Sequence, residues 1–483
     1  MGNTGAQRST HEHADKDGHF RRKDSSFRDW ISRDPNSKFP AEKGRYALYC
    51  NLGCPWAHRT ILVRVLKDLE DIIQVIYTDF DLSENGWLFT GRNGSSDRDP
   101  LYGFVGLKQL YLKADPDYVG RYTVPTLWDK KTETIVNNES SEIIRMFYTE
   151  FDDLIEPRFR ESTKGPKGLY PEHLRSEIND MNEWIYHTIN NGVYKVGFAT
   201  TQEAYDNNLY PLFSSLDRLE SHLSNPQSCH GGPFLFGSNI TEADIRLYTT
   251  IARFDTAYHT IFMCNLKSIR SDYPRLYRWF RRIYHNASEL PKGKVFKETT
   301  APEIYRFGYT NAKRRQTGGA DAQNKSIVVP RGPVNPYDPW TEDDEDIDNG
   351  RRIALQHILE KNGNGTDTNG TATPTSASTA TDFANLSINN STSTPTNGTG
   401  TYKTPKTDLT SEHRAPRTAT SSAPNMGSFV TKGDDIEANG EIDPARKLTR
   451  KNTTTYEDQN AKWYKAAKKA EKKSGVPHVH LAC

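Results

Sequence analysis

The sequence predicts an α/β domain followed by an all-α domain. Three observations carry this. Between Arg45 and Phe151, short apolar runs and amphipathic runs follow in the order strand, helix, strand, then two strands and a helix. Beyond "STKGPKGLYP" the apolar residues recur three and four apart, the spacing of one helix face. After Pro333 the chain turns to Thr, Ser, Asn and Gly, a composition that cannot offset its ordering entropy by burial.

The elements follow in order. Residues 1–40 are polar and read as a loose extension, with Phe27, Trp30 and Ile31 as the residues able to dock. "RYALYC" (Arg45–Cys50) is a buried strand bounded by glycines. Pro55 is favoured at the first position of a helix, and Ile61, Leu62, Val65 and Leu66 form its apolar stripe. "IIQVIYTDF" (Ile72–Phe80) is a second strand, so the first three elements make a βαβ unit with a right-handed crossover. A Gly- and Asp-rich loop carries Trp87. "TVPTLWD" (Thr123–Asp129) and "ETIVN" (Glu133–Asn137) form a hairpin around Lys130–Lys131, and "NESSEIIRMFYTEF" (Asn138–Phe151) closes the unit as a helix. This is the thioredoxin-like pattern, over residues 41–155.

Residues 165–333 are helical. Ile178, Met181, Trp184, Ile185 and Ile189 share one stripe. Tyr205, Leu209, Leu212, Phe213, Leu216, Leu219 and Leu223 share another, with Pro211 expected to start or kink that helix. Thr241 and Asp244 form a capping box, with Ile240 and Ile245 as its hydrophobic staple. Residues 334–483 read as a disordered tail. Its one patterned piece, "NAKWYKAAKKAEKKSG" (Asn460–Gly475), could form a basic helix on an anionic partner, although a solvated lysine-rich tail is the simpler account. Deleting everything after Trp340 is expected to leave activity intact.

Composition narrows the function. A net charge of +1 over 483 residues argues against a dedicated nucleic-acid binder. No apolar run is long enough to span a bilayer, and the N-terminus has no apolar signal core. Five cysteines (50, 54, 229, 264 and 483) do not make a disulfide scaffold in a chain this long, so a cytoplasmic location is expected.

Cys54 is the strongest chemical candidate. It stands where a strand gives way to a helix, beside free backbone amides and the positive end of the helix dipole, both of which stabilise a thiolate. A buried structural cysteine is the plain alternative. Cys50 lies inside the strand. Three residues separate it from Cys54, not the two of a redox CxxC pair, so it reads as core. Val124–Pro125 precedes the third strand; a cis proline there leaves the Val124 backbone able to pair with an extended thiol peptide. Glu139 and Ser140 open a helix. They suit a group carrying both an ammonium and a carboxylate, and would also serve as plain helix caps. Tyr194, Tyr248 and Tyr258 are candidates for holding a phenolic oxygen, or else core aromatics.

These residues carry a family resemblance. "CPWAHR", "ENGWLF", "GRYTVPTLWD", "NNESSEIIRM", "NNGVYKVGFA", "ADIRLYTTIARFD" and "NKSIVVPRGP" occur in one order and resemble the Xi-class glutathione transferases, or glutathionyl-hydroquinone reductases. The resemblance runs from about Trp30 to Pro333 and leaves the tail outside it. It implies Cys54 as catalytic cysteine; Trp87, Arg121, Val124, Glu139 and Ser140 as glutathione ligands; and Tyr194, Tyr248 and Tyr309 as hydroquinone ligands. It implies glutathione as co-substrate, no metal, glutathionyl-quinone conjugates as substrates, and a homodimer. The competing functions are an Omega-like thiol transferase or dehydroascorbate reductase, a glutathione-binding module without turnover, and a conjugating transferase. The last would want a Ser or Tyr hydroxyl where Cys54 stands.

Overall fold

The computed structural model describes residues 14–345, except 23, 84–85, 286, 289, 319–327 and 334–336. The basic segment Asn460–Gly475 and most of the expected tail lie outside the described residues.

The α/β domain contains β1 (Tyr46–Cys50), α1 (Pro55–Leu66), β2 (Gln74–Tyr77), α2 (Leu107–Ala114), β3 (Thr126–Asp129), β4 (Thr134–Asn137) and α3 (Ser140–Thr149). The sheet order is β2-β1-β3-β4. β1 runs parallel to β2, with Cys50 opposite Tyr77, and antiparallel to β3, with Tyr49 opposite Thr126. The hairpin and the βαβ order match the sequence expectation, but β2 and β3 are shorter than their apolar runs. β2 stops at Tyr77 because Thr78 and Asp79 turn into the Trp87 loop. There Asp79 accepts from Thr90 (2.7 Å), Asn93 (3.0 Å) and Arg92 (3.1 Å).

The helical domain follows as α4 (Glu161–Lys164), α5 (Arg175–Ile185), α6 (Gly192–Gly197), α7 (Gln202–Ser224), α8 (Glu242–Arg253), α9 (His259–Ile261), α10 (Ile269–Asp272), α11 (Pro274–His285), α12 (Val295–Glu298) and α13 (Pro302–Gly318). Pro211 lies inside α7 rather than at its start, and the Thr241–Asp244 capping box opens α8. The capping carboxylate is shared: Asp244 also accepts from the Leu235 amide (3.0 Å) and the Trp279 indole (2.8 Å). A local cap thereby becomes a core junction.

The structure differs from the expected division at both ends. The first forty residues are not loose over their described part. The Asp29 amide donates to the Val136 carbonyl (2.9 Å), and Phe27 and Asn138 exchange two bonds, so the arm covers the β4 edge that an open sheet would expose. Ile31 is fully buried and Phe20 and Phe39 nearly so, whereas Trp30 stays exposed. A few apolar anchors at long range are enough to order a polar segment, and its composition does not reveal them.

The far end is corrected likewise. Residues 337–345 pack on α11. Tyr337 donates to the Ala252 carbonyl (2.7 Å) and lies against Tyr284 and Phe280. Asp338 accepts from Tyr277 (3.0 Å) and Arg270 (2.8 Å). Trp340 sits under Arg278, Arg281 and Arg282, and Asp344 pairs with Arg281. A cut after Trp340 would therefore remove part of a docked strap. Truncation after Glu345 is expected to leave the melting temperature and the glutathione-dependent activity unchanged. Truncation after Pro333 uncovers the surfaces under Tyr337 and Trp340, and is expected to lower the melting temperature by roughly 5 °C in a thermal scan.

Candidate active site

Asn51 shapes the turn that presents Cys54. Its side chain accepts from the Gly53 amide (2.8 Å) and donates to the Asp79 carbonyl (2.7 Å). Cys54 is then the residue at the cap position of α1, with Pro55 at the first helical position as expected. Its thiol points across the turn at the Val124 carbonyl (3.5 Å), and the Val124–Pro125 peptide is cis. Burial pushes the Cys54 thiol up; the Ala57 amide, Arg22, the Trp56 amide and Arg253 pull the other way. The net upward direction differs from the low thiol pKa expected of a helix N-terminus. The reason is that the sequence reveals the dipole but not the cover over the thiol. Cys50 is fully buried near Thr60 and pushed up to about 12 by that burial, in keeping with a core role.

One pocket gathers most of the expected residues: Cys54, Trp87, Arg121, Val124, Tyr194 and Tyr309 all line it. Trp87 is held by a close approach of backbones. Its carbonyl accepts from the Leu107 amide (2.9 Å), and a Cβ at Gly106 would lie 2.8 Å from the Leu88 side chain. Glu139 and Ser140 sit at the head of α3, outside that lining. Glu139 caps the helix, accepting from the Ser141 amide (3.1 Å), the Ser141 hydroxyl (3.0 Å) and the Ser25 hydroxyl (3.1 Å). Burial opposes its ionisation, but the Ser141 amide, Arg22 and these hydroxyls hold the carboxyl below its usual range.

The expected tyrosine trio needs one correction. Tyr194 and Tyr309 meet at 2.7 Å, and the third hydroxyl belongs to Tyr258, at 2.9 Å from Tyr309 and 3.5 Å from Tyr194. Tyr248 is not there. It is fully buried, hydrogen-bonds the Phe296 carbonyl and the Thr300 hydroxyl (3.0 Å each), and stacks on Phe280, so it is a core residue. Tyr248 and Tyr258 lie on one continuous buried helical stretch, and a π turn over Phe254–Tyr258 changes the phase of the helix before Tyr258. Sequence spacing could not separate them. Burial holds the phenols of Tyr194, Tyr258 and Tyr309 above the usual value, so they remain donors at neutral pH. Gly197 makes room for this cluster, because a Cβ there would overlap the Phe262 ring that packs on Tyr194.

Residues beyond the expected set complete the frame. Arg253, fully buried, donates to the carbonyls of Gly53 (3.2 Å) and Leu52 (3.3 Å) and to His58 Nδ1 (3.2 Å). His58 must therefore carry its proton on Nε2, which faces Thr299 at 2.8 Å. Arg59 reaches Asn190 (2.8 Å) and the Arg246 carbonyl (2.9 Å). The polar half of "CPWAHR" thus fastens the Cys54 turn to the helical domain. Among the described residues, Arg253 has no carboxylate partner, so a buried positive charge stands behind the thiol and the tyrosines. No group of His, Cys, Asp or Glu suited to a metal occurs among the described residues, and none of their helices is long and apolar enough to cross a membrane.

Two family models match the chain: the glutathione S-transferase N-terminal domain over residues 53–150 and the C-terminal domain over residues 202–282. The chain is 46% identical over 319 residues to the glutathione S-transferase omega-like 2 of Schizosaccharomyces pombe, covering 66% of this chain and 95% of that protein. It is 49% identical over 275 residues to the glutathionyl-hydroquinone reductase YqjG of Escherichia coli, covering 55% and 79%. Among solved structures, the Xi glutathione transferase ECM4 of Saccharomyces cerevisiae in complex with glutathione superposes with a TM-score of 0.59 at 36% identity, covering 67% of this chain and all of that one. Identity at this level, sustained through both domains and along 79% or more of each of these relatives, means that the chain belongs to the Xi class of the glutathione transferase family.

Proposed function

We propose that this protein reduces S-glutathionyl hydroquinones with glutathione. The observation that carries the reading is one pocket lined by the Cys54 thiol and by the neutral phenols Tyr194 and Tyr309, with Tyr258 bonded to both. The relative named a glutathionyl-hydroquinone reductase and the glutathione complex of a Xi-class relative support it.

The Cys54 thiolate attacks the sulfur of the conjugate. The carbon–sulfur bond to the ring breaks, and its electron pair leaves with the ring carbon, which takes a proton. The free hydroquinone departs, and a Cys54–glutathione mixed disulfide remains. The thiolate of a second glutathione attacks that disulfide, releasing oxidised glutathione and restoring Cys54. Tyr194 and Tyr309, oriented by Tyr258, donate to the phenolic oxygens as charge develops on the ring. Trp87, Arg121, Val124, Glu139 and Ser140 hold the glutathionyl chain: Val124 through its backbone, Glu139 through the ammonium, and Ser140 through the carboxylate at the head of α3. Cys50, Cys54 and Cys264 are free thiols, which supports a reducing, cytoplasmic setting, and a homodimer belongs to the same reading.

Mixing the protein with glutathionyl-menadiol, without free glutathione, is expected to add one glutathionyl group to Cys54 by mass spectrometry and to release menadiol. A folded protein that gains no such mass would overturn the proposal. The second reading, an Omega-like thiol transferase, shares Cys54 and gives no role to the tyrosine cluster.

A further inference from the structure

The N-terminal arm brings a cation into the pocket that no motif of the sequence pointed to. Arg22 lines the same cavity as Cys54 and Val124, with its guanidinium 4.3 Å from the centre of the Trp56 ring. It is half-buried, and among the described residues it has neither a hydrogen-bond nor an ion-pair partner. Its neighbours are unlike it in this: Arg21 pairs with Asp15 and Asp17, and Arg28 pairs with Glu142.

The arm is fixed on both sides of Arg22. On one side Phe20 packs on Phe198 and Tyr194, the Gly18 carbonyl accepts from the Thr200 amide (3.1 Å), and Gly18 sits so close to Thr201 that a Cβ would meet it at 2.7 Å. On the other side Ser25 donates to Glu139 (3.1 Å) and to the Asn138 carbonyl (3.2 Å). Arg22 is thus suspended between the helical domain and the head of α3, its guanidinium laid on an indole. A planar guanidinium held this way is suited to two parallel bonds with a carboxylate.

The charge of Arg22 acts on both Cys54 and Glu139. In the proposed function the sulfur of the glutathionyl chain meets Cys54 and its γ-glutamyl ammonium meets Glu139. The α-carboxylate of that γ-glutamyl group is bonded to the same carbon as the ammonium. Arg22 stands three residues before Ser25, whose hydroxyl bonds Glu139, so the arm carries its guanidinium toward this end of the site. The other cations near the site are differently placed. Arg253 is spent on backbone carbonyls, Arg145 pairs with Glu242, and Arg121 belongs to the loop of Val124, which meets the cysteinyl part of the chain.

We propose that Arg22 is a further binding residue of the site, pairing with the γ-glutamyl α-carboxylate of the substrate so that the N-terminal arm forms one wall of the glutathione site. The inference rests on the proposed reduction and names the part of the substrate that Arg22 reads.

The test compares two conjugates of menadiol under single turnover, one carrying glutathione and one carrying cysteinylglycine, which lacks the γ-glutamyl group. With the full chain, Arg22→Gln is expected to raise the half-saturating concentration of the glutathionyl conjugate about tenfold, while any fall in limiting rate from the lost charge beside Cys54 is shared by both conjugates. It is expected to leave the half-saturating concentration of the cysteinylglycine conjugate unchanged. Arg22→Lys keeps the charge without the fork and is expected to fall between. Equal rises in half-saturating concentration for both conjugates would mean that Arg22 only braces the arm, and would overturn the assignment. So would an Arg22→Gln protein that saturates at the wild-type concentration. Failure of the wild type to release menadiol from either conjugate would instead sink the underlying reaction.

Discussion

Cys54→Ser is expected to lower turnover of glutathionyl-menadiol by about 10⁴-fold or more, because a hydroxyl cannot form the mixed disulfide through which the proposed cycle runs. The paired variant, Cys50→Ser, is expected to keep turning over. Its cost falls on stability, about 1–3 kcal/mol for a hydroxyl in a buried strand whose nearest polar neighbour is Thr60. Steady-state rates on both variants, with a thermal melt of each, separate the two effects. Equal inactivation of the two folded variants would mean that the cycle uses a dithiol. The pH dependence has a definite sign. Burial pushes the Cys54 thiol up, so its thiolate is the minor form at neutral pH, and the alkylation rate of the free enzyme is expected to climb as pH rises through the alkaline range. A rate already flat by about pH 6 would show that the amides of α1 and the nearby arginines outweigh burial.

Tyr309→Phe is expected to be the second largest loss. Its hydroxyl is the hub of the trio, 2.7 Å from Tyr194, 2.9 Å from Tyr258 and 3.4 Å from the Gly53 carbonyl, so it links the phenol cluster to the turn that carries Cys54. Removing a donor aimed at developing charge in a closed site costs on the order of 10²-fold. The loss should fall on release of the hydroquinone and spare reduction of a simple glutathione mixed disulfide, which has no phenolic oxygen to hold. Tyr248→Phe is the control from the core: it removes a bond to Phe296 and Thr300 and is expected to affect stability rather than the choice of substrate. Equal effects of Tyr309→Phe on both substrates would favour the thiol transferase reading.

The order of elements, the placement of Cys54 beside Pro55 and the opening of a helix at Glu139 are legible in the chain because they depend on neighbours in sequence. A proline ring, a period of two or of 3.6, and a carboxylate two residues from an amide are all local. The Thr241–Asp244 box is of the same kind, although its second use, binding Leu235 and Trp279, is not.

Local order in the chain was therefore enough for the α/β-then-helical architecture, for one cysteine at the head of α1, and for the capped head of α3. Folding settled which tyrosine completes the cluster, how well Cys54 is covered, and that both flanks of the family region are docked. Each of those outcomes depends on contacts between residues far apart in the chain. Tyr248 and Tyr258 are equivalent by composition, and a π turn ends on the one that joins the cluster. Arg22 belongs to a polar stretch that ordering entropy would leave loose, and Phe20, Ile31 and Ser25 fix it against surfaces that exist only once the domains have folded.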